Sequence, residues 1–102
     1  MTNFAQLVNE DLRLAILRYL SGFASYTLSV SMLHRALVAS REFHVTADQV
    51  MANAEWLRDT GLADIEDLGR GKFNVIALPA GREVAAGLAT RRGVTPYDPS
   101  QG

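Results

Sequence analysis

Seven side chains in this sequence are candidates for contact with a nucleic acid. Arginine and lysine bind phosphate oxygens, whereas amide and hydroxyl side chains can hydrogen-bond to base edges. The candidate phosphate ligands are Arg35, Arg41, Arg70 and Lys72, and the candidate base-reading groups are Thr46, Gln49 and Asn53. These residues can act together only if the fold brings residues 35–53 close to residues 70–72.

The stretch 46–61, TADQVMANAEWLRDTG, predicts the helix that would position the base-reading groups. Thr46 and Gln49 have the spacing of a capping box, and Gly61 stands where a left-handed C-terminal cap would fall. An inward stripe is expected from Val50, Ala54 and Leu57. The outward residues are expected to be Asp48, Gln49, Ala52, Asn53, Glu55 and Asp59.

A β-hairpin is predicted directly after this helix. Its strands should cover residues 62–68 and 73–78, and the Gly-Arg-Gly-Lys turn between them places Arg70 and Lys72 at the tip. The two tip cations could contact phosphates or the minor groove, or they could serve only solubility. Trp56 could be an exposed anchor, although packing under the hairpin is favoured.

The remaining elements are a long first helix, a second helix and a small last helix. The first covers about residues 3–23, either as one helix or with a break near Asn9, and residues 26–28 could add a short strand to the hairpin. The second helix begins at Ser29 or Ser31 and ends near Ser40. The last runs from about 80 to 91 after Pro79, which is tolerated in a first turn. We expect one domain over residues 1–92 and an extended or disordered tail over 93–102 that adds little stability.

The first helix is apolar on two sides, and the last helix carries small residues that permit close approach. This pattern predicts a homodimer, the commonest oligomer. The expected interface residues are Phe4, Leu7, Val8, Val84 and Leu88.

Catalytic and metal chemistry is poorly represented in this sequence. There is no cysteine, and His34 and His44 are the only histidines, too few for a zinc site. Asp64 and Glu66 alternate with apolar residues, which indicates the solvent face of a strand and not a catalytic pair. We therefore expect no enzyme activity, no metal and no cofactor.

Composition indicates a folded domain without a membrane segment. The chain has 102 residues, of which 48% are hydrophobic, and no apolar run approaches the roughly 20 residues that span a bilayer. The first residues have no basic region of a secretory signal, so a cytoplasmic location is expected. A net charge of −1 argues against strong nonspecific nucleic-acid binding.

Two sets of short motifs resemble known families. The stretches 13–20 (RLAILRYL) and 56–62 (WLRDTGL) resemble winged-helix transcription regulators of the ArsR and MarR type. The stretches 4–7, 54–57, 81–87 and 92–94 (FAQL, AEWL, GREVAAG and RGV) are similar to small proteins of Mu-like transposable phages and prophages. The resemblance implies a mainly α fold with a small β-hairpin, a winged helix-turn-helix, and a phage or prophage setting in a bacterial host. The cysteine motif of metal-sensing relatives is absent, so metal sensing is not implied.

Two functions remain open at this point. The first is a dimeric regulator that binds double-stranded DNA, reading the major groove with residues 46–60 and contacting the backbone or minor groove with residues 69–72. The second is a winged-helix adaptor that binds another phage or host protein and no DNA. The acids Asp48, Glu55 and Asp59 favour the adaptor, whereas the basic hairpin tip favours DNA.

Overall fold

The chain forms four α-helices and one three-stranded antiparallel sheet within residues 3–101, the part that the computed structural model describes. The helices and strands, in chain order, are α1 (Phe4–Ser21), β1 (Thr27–Ser29), α2 (Val30–Ala39), α3 (Ala47–Asp59), β2 (Ala63–Gly69), β3 (Lys72–Ala77) and α4 (Pro79–Ala85). A 3-10 turn, Pro99–Gln101, follows. The expected class of helices with a small antiparallel sheet is confirmed. None of the described helices is long and apolar enough to cross a membrane.

Helix α3 begins and ends as predicted, because its signals are local. The Thr46 hydroxyl accepts a hydrogen bond from the Gln49 amide at 3.1 Å, and the Gln49 side chain accepts one from the Thr46 amide at 2.8 Å. Gly61 adopts the left-handed conformation with φ of 80°. The predicted inward stripe of Val50, Ala54 and Leu57 is fully buried.

The predicted hairpin and the predicted first strand form one sheet in the order β1-β3-β2. Leu28 pairs with Val75, and Val75 pairs with Ile65 on the other side, so these three apolar residues form one row across the sheet. The turn between β2 and β3 has positive φ at both central residues, 57° at Arg70 and 75° at Gly71. This geometry is that of a type I′ hairpin turn, whose twist matches the flanking strands.

Helix α1 supplies the centre of the core, with Leu12, Ile16, Leu17 and Leu20 fully buried. It packs against α3, α4 and the sheet, and it runs without interruption. The alternative of a break near Asn9 is therefore wrong. The apolar side chains of α1 from Leu12 to Leu20 are buried or half-buried against the same chain, whereas Phe4 and Leu7 at its start are exposed.

Helix α4 is shorter than predicted. It ends at Ala85, and Gly87 then turns the chain with φ of 79°. Gly81 lies against the Leu62 carbonyl, where a β-carbon would come within 2.1 Å, so the small residues of α4 allow close packing inside the monomer. Leu88 falls beyond the helix and is 81% exposed, so it does not continue the Val84 stripe.

The segment after Gly93 is docked on the domain. Val94 is only 4% exposed and belongs to the core. The Thr95 amide donates to the Glu10 carbonyl at 3.2 Å, and the Tyr97 ring lies 3.9 Å from the Arg18 guanidinium. The burial of Val94 therefore argues against the expectation that this segment adds little stability.

Candidate nucleic-acid interface

A groove of about 530 Å³ separates the first turns of α2 and α3 from the β2–β3 hairpin. The polar residues that line it are Ser29, Ser31, His34, Asp48 and Lys72, and the apolar lining residues include Val30, Met51, Leu68 and Phe73. The fold thus brings the start of the candidate helix and the hairpin tip to the two sides of one groove, as the spacing of the candidate residues required.

The four candidate phosphate ligands are exposed and uncommitted. Within residues 3–101, the side chains of Arg35, Arg41, Arg70 and Lys72 form no hydrogen bond and no ion pair. Lys72 lines the groove directly, and Arg70 precedes it at the hairpin tip. Arg35 lies one helical turn after Ser31, on the same side of α2. Arg41 follows α2 with a left-handed backbone, φ of 64°.

Thr46 and Gln49 are exposed, but their oxygens already serve the helix cap. The Thr46 hydroxyl and the side-chain oxygen of Gln49 each accept a hydrogen bond from a backbone amide. Bidentate pairing with adenine would need both the oxygen and the nitrogen of the Gln49 amide. Gln49 therefore keeps only its NH₂ group free, unless binding opens the capping box.

Asn53 does not lie on the outer face, so this part of the prediction is wrong. Its side chain is 5% exposed and points toward α1. The Asn53 side-chain oxygen accepts a hydrogen bond from Arg13 Nε at 2.9 Å. The side-chain nitrogen donates to Asn9 Oδ1 at 3.2 Å and to the backbone carbonyl of Gln49 at 2.9 Å. A buried amide with these partners satisfied has no group left for a base edge.

The outermost ridge of α3 consists of Asp48, Ala52, Glu55 and Asp59, which follow one another at helical spacing opposite the buried stripe. Arg58 forms ion pairs with two of these acids, at 4.0 Å to Glu55 and 3.2 Å to Asp59. Within the described chain, the Asp48 carboxylate has no such partner. The ridge is therefore acidic, but its unpaired charge lies at the N-terminal end, beside the groove.

Arg13 joins α1, α3 and the C-terminal segment, a role that sequence reasoning missed. In addition to Asn53, its guanidinium donates to the Gly93 carbonyl at 2.9 Å and lies 4.0 Å from the centre of the Trp56 ring. Burial lowers the pKa of Arg13, and the nearby Glu10 carboxylate opposes this effect. Trp56 is half-buried here, with Gly93 packed against its ring. Partners 40 to 80 residues apart leave no local pattern.

His34 has a structural contact inside the helix-turn-helix pair. Its Nε2 lies 2.8 Å from the Val45 carbonyl oxygen, which connects α2 to the turn that precedes α3. Among the residues that the structure describes, no group of three or more histidine or acidic residues is arranged to hold a metal ion. Asp64 and Glu66 are exposed, as expected for the outer face of β2.

The predicted dimer residues divide into three classes by exposure. Phe4 is 80% exposed, Leu88 is 81% exposed, and Leu7 is also exposed, so these three are available to a partner. Val8 is half-buried. Val84 is only 2% exposed and belongs to the monomer core, so its assignment to the interface is wrong.

Comparison with known proteins adds no relative. No family profile matches the chain, and neither the curated proteins nor the solved structures contain a significant match. The family resemblance therefore remains a prediction, and function has to be argued from the geometry.

Proposed function

We propose that this chain is a winged helix-turn-helix protein that binds double-stranded DNA and regulates transcription, in a phage or prophage setting. The order of elements supports this fold, because α2 and α3 form a helix pair joined by a short turn. The β2–β3 hairpin follows α3, and β1 pairs with β3. In this proposal α3 enters the major groove and the hairpin tip reaches the backbone or the adjacent minor groove.

The groove between α3 and the hairpin is the observation that carries the proposal. A DNA strand passing between a helix in the major groove and a hairpin at the next minor groove would lie in this groove. Lys72 and two serine side chains line it, and Arg70 precedes Lys72 at the hairpin tip. Arg35 lies one turn after the lining residue Ser31 on α2. Within residues 3–101 these three exposed cations form no ion pair. Phosphate contacts from such cations supply most of the affinity in protein–DNA complexes.

The acidic ridge of α3 supports a second candidate, an adaptor for a protein partner. Asp48, Glu55 and Asp59 would face DNA phosphates at a cost, and Asn53 has no free group to offset it. A partner with a basic surface would meet the same ridge favourably. The two candidates therefore differ in which charges must be kept: the hairpin cations for DNA, and the α3 acids for a protein.

A salt titration of DNA binding tests the proposal with two single variants. Arg70→Asn and Lys72→Gln each remove one hairpin cation, and asparagine tolerates the left-handed backbone at position 70. Each variant should bind every duplex several-fold more weakly and reduce the slope of log K against log salt by about one.

Arg92→Gln is the matched control, because Arg92 is an exposed cation that lines a different cleft beside Trp56. It should leave both the affinity and the slope unchanged. If wild-type protein shifts no phage or prophage DNA at low salt, the DNA proposal is wrong. A protein partner whose binding is lost in Glu55→Gln/Asp59→Asn would then support the adaptor.

A further inference from the structure

We infer that α3 selects duplexes in which a cytosine faces Asp48 and a thymine, about two base steps away, faces Ala52. This inference rests on the proposed DNA binding and goes beyond it by naming the bases that are read. It follows from which side chains of α3 remain free in the structure.

The amide and hydroxyl groups of α3 are largely committed to the protein itself. The oxygens of Thr46 and Gln49 hold the capping box together, and the Asn53 amide is buried with its hydrogen bonds made to α1 and to the helix backbone. The bidentate contacts to adenine that these residues suggested are therefore not available without unfolding the cap or the core contact.

Asp48 lies at the N-terminal end of α3, the end that contacts base edges in helix-turn-helix proteins. Within residues 3–101 its carboxylate forms no hydrogen bond and no ion pair, whereas Gln49 beside it keeps only an NH₂ donor free. An ionised carboxylate only accepts hydrogen bonds. The cytosine amino group is a donor in the major groove, whereas guanine presents two acceptors, N7 and O6. Asp48 therefore favours cytosine at the position that it faces and disfavours guanine there by repulsion. Its unfavourable interaction with phosphate is the same for all sequences, so it lowers affinity without removing this preference.

Ala52 follows Asp48 on the same ridge, one turn further along α3. Four residues of α-helix correspond to about 6 Å, which is close to two base steps of about 3.4 Å. Ala52 is exposed and has only a methyl group to offer, and apolar contact with the thymine methyl is the major-groove interaction open to it. Glu55, the next residue of the ridge, is paired with Arg58 and is less available.

Selection from a randomised duplex library at low salt, followed by binding assays on the selected duplex, tests this inference. Replacing the C·G pair by G·C should weaken binding about 5- to 150-fold. Replacing thymine by deoxyuracil removes one methyl group and should weaken binding about fourfold. The Asp48→Asn variant should bind all duplexes more tightly and lose its preference for cytosine over guanine.

Glu83→Gln is the control variant, because it removes an exposed acid on α4, which is away from the groove. It should change neither the overall affinity nor the base preference. The inference is overturned if the protein binds a selected duplex but Asp48→Asn retains the wild-type preference, and the proposed DNA binding would then still stand. If no duplex is enriched or bound, the proposed DNA binding itself fails.

Discussion

At the scale of single residues, Arg13 holds α1, α3 and the C-terminal segment together. It connects three segments through two hydrogen bonds and the Trp56 ring. Removing it would also leave the buried Asn53 oxygen without its partner, which is costly in itself. The polar side chain of Asn53 can be buried because Arg13 and Asn9 supply its hydrogen-bond partners.

We predict that Arg13→Ala lowers the free energy of unfolding by about 2–4 kcal/mol, from the loss of charge-assisted hydrogen bonds and the cation–π contact. Urea unfolding followed by circular dichroism measures this change. Arg35→Ala is the control, since that exposed side chain has no partner within residues 3–101 and should change stability by less than about 0.5 kcal/mol. Equal stability of the two variants would contradict the role assigned to Arg13.

Arg70 occupies a left-handed backbone position, which strains most residues other than glycine and asparagine. We predict that Arg70→Asn raises the free energy of unfolding by roughly 0.5–1 kcal/mol, because Asn-Gly is a favoured pair in type I′ turns. Thermal and urea unfolding measure the change. If the variant is as stable as expected, a loss of DNA affinity cannot be attributed to unfolding. A clear loss of stability would contradict the assigned turn geometry.

At the scale of elements, local signals predicted the helices and strands well, and contacts between distant segments were missed. The capping box of α3 and the glycine turn of the hairpin each lie within a few residues, so the sequence displays them directly. The inward turn of Asn53 and the docking of the C-terminal segment depend on residues of α1 that lie 40 to 80 positions away in the sequence. For the candidate site, the exposure of Arg70 and Lys72 could be predicted because charged hairpin tips face solvent. The burial of Asn53 could not be predicted, because it depends on partners in α1.

The docked C-terminal segment leads to the opposite of the expectation from sequence. We predict that truncation after Arg92 lowers the melting temperature by roughly 10–20 °C, because it exposes the site of Val94 and removes the contacts of Gly93, Thr95 and Tyr97. Differential scanning calorimetry measures the shift. Pro96→Ala is the control, since Pro96 is exposed, and it should shift the melting temperature by no more than a few degrees. An unchanged melting temperature after truncation would restore the original expectation.

At the scale of the whole molecule, the homodimer predicted from the sequence has to form through apolar residues that are exposed in the monomer. Val84 is excluded because it belongs to the monomer core, so the contact should involve Phe4, Leu7 and Leu88. Exposed apolar groups of this size gain free energy when a partner covers them, by about 25 cal/mol for each Å² removed from water. A symmetric dimer would also present two α3 helices to two half-sites of one duplex.

We therefore predict a dimer at tens of micromolar and a monomer for the double variant Phe4→Ser/Leu7→Ser, as measured by sedimentation equilibrium. Both side chains are exposed in the monomer, so the variant should keep the wild-type circular dichroism spectrum. Met32→Ser is the matched control, because Met32 is an exposed apolar residue on α2, outside the expected contact residues. This variant should remain dimeric. A wild-type chain that sediments as a monomer up to 100 µM would exclude the dimer. Recognition of DNA would then have to come from a single α3 helix and its hairpin.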